Sequence, residues 1–226
     1  MLFVLTGNIQ IGKTRWLQNL LADLEQRGVR AYGVLAPGVW EDRRNASGPR
    51  PHVDANGFEK TGIDNVLLPQ EDRVAFARRR DLAERAGIVD CHAQSTRAQL
   101  GWRIADSAID RVNAHFADLA AAASAAAASA AAAASTAKAA PAPAPGVLVV
   151  DELGKLELEC GTGLVQAVAV LQSGPTPVWQ HAIVVVRSVL LHAIEGQFAA
   201  WGAQVRIAPD EAARAAVFDA FALRCR

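Results

Sequence analysis

LTGNIQIGKTRW, residues 5–16, stands almost at the start of the chain. Gly7 and Gly12 bracket four residues and Lys13-Thr14 follow at once. Gly7, Asn8, Ile9, Gln10, Ile11, Gly12, Lys13 and Thr14 therefore satisfy G-x-x-x-x-G-K-[ST]. Glycines let a backbone curl so that successive N–H groups point inward as an anion nest. The helix that follows adds its positive N-terminal end. Lys13 would place a point charge between the β- and γ-phosphates of a nucleotide, and the Thr14 hydroxyl would reach Mg²⁺. The bland alternative is a glycine turn between a strand and a helix. The flanks supply both elements. Met1 to Thr6 is a continuous apolar run, a buried strand ended by Gly7. Leu17, Leu20, Leu21 and Leu24 recur at i, i+3, i+4 and i+7, one helical stripe with Gly28 as its stop.

VRAYGVLAP, residues 29–37, reads as a second strand, so the chain opens as strand, glycine loop, helix, strand. Its last third repeats the alternation. GVLVVDELGKLELE (146–159) is an apolar strand running into two carboxylates, GLVQAVAVLQSG a helix, and AIVVVR a strand. SVLLHAIEGQFAAWG follows as a helix, AQVRIAP as a short strand, and DEAARAAVFDAFALRC as a helix capped by Asp210. The fold expected is three-layer α/β with a mostly parallel central sheet.

Between these parts, residues 41–70 read as irregular β-hairpin material. VAFARRRDLAERAG (74–87) reads as a helix and GIVDCHAQ as a loop or short strand. STRAQLGWRIADSAIDRVNAHFADL (95–119) reads as one helix, with Ile104, Ala108, Ile109, Val112 and Phe116 on one face. Residues 119–145 are almost wholly Ala, Ser and Pro. Alanine favours helix, but no large apolar residue docks the run, and its Pro-Ala repeats favour an extended linker. A solvent-exposed spacer, partly helical at most, is expected. A membrane span is the rival, and it lacks the leucines and phenylalanines that drive insertion.

The 226 residues suit one domain, 1–226, with that spacer inside it. Lys plus Arg and Asp plus Glu both total 23, so no net field draws the protein to nucleic acid or acidic membranes. Cys91, Cys160 and Cys225 form no C-x-x-C pair, which points to a reducing compartment. Cys91-His92 has no second pair to complete a metal site. Met1 to Leu5 lacks the basic flank of a secretory signal, and HAIVVVRSVLLHAI is broken by Arg187. A cytoplasmic protein without nucleic-acid or membrane partners is expected.

A phosphate loop needs a carboxylate for the metal shell and a group to activate water. Asp151 appears where the buried strand ends, and ligands of open α/β sheets collect at carboxyl ends. It would hold Mg²⁺ with Thr14. Glu152 would orient and deprotonate the attacking water; otherwise the pair begins a solvated loop. Arg187, ending another strand, would contact the γ-phosphate or be a solvated terminus. Arg78-Arg79-Arg80 reads as a wet helix face. Trp40, Phe58 and Trp102 would stack on a base or lie in core or rim.

GNIQIGKT, GVLAP and above all VVDELGKLEL resemble the small P-loop nucleoside-triphosphatases of the cancer-related and thermophile type, whose second motif reads close to D-E-I-G-K-M-E-L. The resemblance implies a RecA-like fold and Mg²⁺-dependent hydrolysis of ATP, GTP and other nucleoside triphosphates to diphosphate and phosphate. It makes Gly7 to Thr14 the first nucleotide segment and Asp151, Glu152, Leu153 and Gly154 the second. Lys13 and Glu152 are then the catalytic pair. Lys155 and Glu157 match as well, as a local ion pair. Arg15 stands where the family often has a second hydroxyl, and the alanine-rich insertion has no counterpart. Two other readings stay open. One is a small-molecule or nucleotide kinase with FARRRDLAER as an arginine lid. The other is a nucleotide-gated regulatory module with slow hydrolysis.

Overall fold

Four apolar strands carry the architecture because each alternates its side chains between two cores. In a computed structural model that describes residues 1–8, 10–45, 52–88, 90–135 and 144–223, the chain begins with β1 (Leu2–Leu5), α1 (Lys13–Glu25), β2 (Arg30–Leu35) and β3 (Gly38–Asp42). It continues through β4 (Phe58–Leu68), β5 (Asp72–Arg79), α2 (Arg80–Arg85), α3 (Gln94–Arg97), β6 (Trp102–Ile104) and α4 (Asp106–Ser135). The remainder is β7 (Gly146–Leu153), α5 (Lys155–Leu158), α6 (Val165–Ser173), β8 (His181–Val186), β9 (Gln204–Ile207) and α7 (Glu211–Ala220). Two 3-10 segments, Ser188–Ile194 and Ala199–Trp201, lie between β8 and β9.

The strands form one nine-stranded sheet in the order β6-β5-β4-β2-β7-β8-β1-β9, with β3 beside β4. From β2 to β9 every neighbouring pair is parallel; from β2 outward through β4, β5 and β6, and between β3 and β4, pairing is antiparallel. Phe3, Leu5, Val147, Val149, Ile183 and Val185 face Leu17, Leu20 and Leu24 of α1 and Val217 and Phe218 of α7. Their neighbours in sequence, Leu2, Val4, Leu148, Val150, Ala182 and Val184, face Val112 and Phe116 of α4 and Leu171 of α6. A strand buried on both faces has no polar positions to offer, which explains the unbroken apolar runs. Each fully buried Leu, Val or Phe contributes about 1.5–3 kcal/mol.

The loop-helix-strand opening and most of the later alternation stand where the sequence places them, except that SVLLHAIEGQFAAWG, expected as one helix, forms the two short 3-10 segments. Asp210 caps α7 by accepting from the Ala213 N–H at 2.8 Å. Three further expectations need correction. Residues 74–79 are strand, not helix: β5 pairs with both β4 and β6, and the helix begins only at Arg80. Arg79 is correspondingly not a wet helix face. Its side chain is 13% exposed, and it pairs at 2.6 Å with both Glu59 and Asp81. Residues 95–119 are not one helix but α3, a turn, β6 and the start of α4. The segment from Gln99 to Gly101 breaks the run, with Gln99 at φ 55°.

The third concerns the spacer. Its first part continues α4, which runs 30 residues. The stripe Ile109, Val112, Phe116, Leu119 extends to Ala123, and both Leu119 and Ala123 are buried in the core. Beyond Ala123 the described residues of the helix are mostly exposed. Length and composition alone would let residues Asp106–Ala133 cross a membrane, yet the first turns of the helix carry the sheet's packing. The Pro-Ala part of the expected spacer lies outside the described residues.

Docking that ends at Ala123 has a measurable consequence. Ala123→Asp buries an unpaired carboxylate and is expected to cost about 2–4 kcal/mol. Ala128→Asp, five residues further on and exposed, is expected to stay within about 0.5 kcal/mol of the native chain. Urea unfolding followed by far-ultraviolet circular dichroism checks both.

Candidate active site

Between β1 and α1 the chain turns sharply, and Gly12 supports the turn with φ 91°, a left-handed conformation that side chains resist. The helix starts at the next residue, so the N–H groups of its first turn point back toward the loop. Lys13 is 8% exposed, and its ammonium donates to the carbonyls of Gly7 at 3.0 Å and Asn8 at 2.8 Å. The lysine thus folds over the hollow of its own loop. Asn8, Gln10 and Ile11 are exposed at the rim. Ile9 lies outside the described residues.

Strand β8 separates β1 from β7, so the glycine loop and the acids of β7 start two strands apart, about 10 Å. Thr14 closes the gap. Its hydroxyl donates to Asp151 Oδ1 at 3.4 Å, and the other carboxylate oxygen accepts the Ala36 N–H at 3.0 Å. Asp151 is only 3% exposed. Burial pushes its pKa up to about 6, against the opposing pull of the Ala36 and Thr14 hydrogen bonds. A buried carboxylate beside a threonine hydroxyl offers two hard oxygens, the ligand type Mg²⁺ takes along with phosphate oxygens and water. Among the described residues no three His, Cys, Asp or Glu side chains gather as a metal site. Substrate and solvent would therefore complete the shell.

Glu152 turns the other way from its neighbour's hydrogen bonds and accepts from Arg187 Nε at 2.5 Å. The strand register explains the meeting: β7 and β8 are parallel neighbours, with Asp151 opposite Val185, so Arg187 emerges beside the acid pair. The arginine expected at the γ-phosphate is thus a partner of the glutamate. Both side chains are partly exposed, so the pair contributes little to stability; its effect is to fix the carboxylate's direction. The Leu153 side chain is fully buried in the core with Val150 and Leu156, which leaves its backbone near the site. Gly154 N–H is held by Glu157 Oε2 at 2.8 Å, and Glu157 Oε1 takes the Leu164 N–H at 2.9 Å. Lys155 reaches the Ala98 carbonyl at 3.2 Å. The expected Lys155–Glu157 ion pair is thus replaced by two separate braces to backbone.

Thr14, Asp151, Glu152 and Arg187 open into one cavity of about 440 Å³. Its opposite wall holds Lys60, Asn65, Phe76 and Trp102 from the antiparallel strands. Of these, sequence reading singled out only Trp102, as a base-stacking candidate. Lys60 and Asn65 carry no local signal, because nothing near them in sequence resembles a site.

Glycine loop, helix N-terminus, lysine, threonine and an acid pair thus meet across one intervening strand. The solution structure of a human cancer-related nucleoside triphosphatase matches with a TM-score of 0.54, covering 98% of this chain and 94% of the human one at 17% identity. The chain shares the fold of that human protein. The crystal structure of THEP1 from the hyperthermophile Aquifex aeolicus also matches, at a TM-score of 0.47 and 13% identity, covering 98% of this chain and 96% of that one. No protein-family model matches the chain, and no curated protein matches it by sequence. In this P-loop fold the parallel strands carry the loop and the acids, and the antiparallel strands face them.

Asp151 gives the nucleotide-free protein a pH signature. Unfolded, it loses its proton near pH 4; folded, it does so at about 6. Between those values the folded chain holds a proton the unfolded chain has released. Stability is therefore expected to fall as pH rises from about 4 to 6, by on the order of 3 kcal/mol, and to contribute no further slope above. Asp151→Asn removes this fall. Urea titrations across that window, native against variant, check the sign.

Proposed function

We propose that the protein hydrolyses nucleoside 5'-triphosphates to the diphosphate and phosphate with Mg²⁺. The observation that carries the reading is the Thr14 hydroxyl meeting buried Asp151 at 3.4 Å, with Glu152 beside it on the same cavity. Loop N–H groups and the start of α1 receive the β- and γ-phosphates, and the Lys13 ammonium lies where their charge is densest. Thr14 and Asp151 hold Mg²⁺, which when bound neutralises charge on the phosphate oxygens. Glu152 accepts a proton from a water aligned with the γ-phosphorus. The water oxygen bonds to phosphorus as the β–γ bridging bond breaks, and the nucleoside diphosphate leaves. Arg187 keeps the glutamate turned toward that water.

The loop and its helix would bind the phosphates, which ATP and GTP share, and this supports acceptance of both. The cavity beyond Glu152 favours one further reading, phosphoryl transfer to an organic acceptor in place of water. The arginine-lid part of the kinase expectation loses its support, because Arg79 is paired and lies on a strand.

Phosphate release from Mg-ATP and Mg-GTP tests the proposal. Lys13→Ala is expected to lose turnover together with tight nucleotide binding. Glu152→Gln is expected to bind nucleotide as the native protein does while kcat falls about 10²- to 10⁴-fold. Native turnover in Glu152→Gln would overturn the role given to that residue. Absence of phosphate release from the native protein would overturn hydrolysis itself.

A further inference from the structure

Water needs little room, yet the cavity facing Glu152 holds about 440 Å³, within the size range of small-molecule sites. Its far wall belongs to the antiparallel extension rather than to the strands that carry the phosphate loop. That wall is flat and apolar, with Phe76 from β5 and Trp102 from β6. Two polar groups interrupt it. Asn65 is 2% exposed, and its Oδ1 is buried without a hydrogen-bond partner. Such an acceptor needs an N–H or O–H that the protein does not supply.

Lys60 is the second. Its ammonium lies 5.4 Å from the centre of the Trp102 ring, and among the described residues no carboxylate stands within ion-pair distance of it. Burial lowers its pKa, while Glu152 and Asp151 pull the other way. Of the other charged side chains lining the cavity, Arg187 is held by Glu152, Asp151 by Thr14 and the Ala36 N–H, Glu157 by two backbone N–H groups and Lys155 by a carbonyl, while Glu159 is exposed at the edge.

A bulge brings Lys60 and Asn65 together. Against β3, Val39 and Trp40 stand opposite Gly62 and Lys60, so Thr61 is an extra residue in β4. The extra residue shifts the alternation by one and returns Lys60 to the face of Ile63 and Asn65. Gly38 leaves a path for the lysine stem, since a Cβ there would lie 2.7 Å from Lys60 Cε. An unbroken strand would have sent the ammonium to the opposite face.

We propose that this cavity is a second ligand site, built for a small flat aromatic carboxylate that also bears a hydroxyl. The ring lies against Trp102 and Phe76, the carboxylate meets Lys60, and the hydroxyl donates to Asn65 Oδ1. Binding there stands independently of hydrolysis; only the ligand's position opposite the terminal phosphate rests on the nucleotide reading.

The probe is 6-hydroxy-2-naphthoate, titrated calorimetrically into the full chain without nucleotide, beside its 6-methoxy analogue and its uncharged carboxamide. The native protein is expected to bind the naphthoate saturably and each analogue about tenfold more weakly, a difference of about 1.4 kcal/mol. Lys60→Gln should abolish the preference over the carboxamide, Asn65→Leu the preference over the methoxy compound, and Trp102→Ala should weaken all three. Lys13→Ala should leave every affinity unchanged, so a failed nucleotide reading and a failed second site give different results. No saturable binding at millimolar naphthoate, or the same preferences in Lys60→Gln as in the native protein, would overturn the proposal. Lys60 is only partly buried and its variant is expected to fold, so it decides the matter if Asn65→Leu does not.

Discussion

The hydrogen bond between Thr14 and Asp151 is the narrowest point of the design. One partner opens the first helix and the other lies two residues before the end of the seventh strand, 137 positions later in sequence. Neither position alone forms a site. What joins them is the order of the parallel strands, which inserts β8 between β1 and β7 and so fixes the distance that a threonine side chain must cross. The apolar alternation of β1, β7 and β8 is therefore a requirement of this meeting as well as of the core. A slip of one residue in β7 would turn Asp151 toward the other face.

The same strand order explains the role that Arg187 takes. It ends the strand lying between loop and acids, and there it meets the nearer acid first. A glutamate with one oxygen fixed by a guanidinium has fewer directions to sample, which is what positioning a small nucleophile requires. Electrostatic contributions to folding are a poor guide to such a pair; its value is angular.

Much of this was legible in the chain because the signals are local. The glycine spacing, the leucine stripe of α1 and the four apolar residues before Asp151 each name their own element. The errors came where local pattern and tertiary demand diverge. Residues 74–79 contain alanines and arginines that favour helix, but β4 and β6 offer pairing on both sides. Alanine 123 has no bulk to announce burial, and its place is set by following Phe116 and Leu119 around the helix. Lys60 and Asn65 stayed invisible because their shared face depends on one extra residue relative to a neighbouring strand, which no periodicity in β4 itself records.

The exposed end of α4 also sets a boundary. The helix leaves the sheet after Ala123, and the chain next enters β7 at Gly146, the end of that strand remote from the acids. Strand pairing with β2 and β8 then re-establishes position before Asp151 is reached. The candidate site stands at the opposite rim, separated from the strand's entry at Gly146 by the paired length of β7.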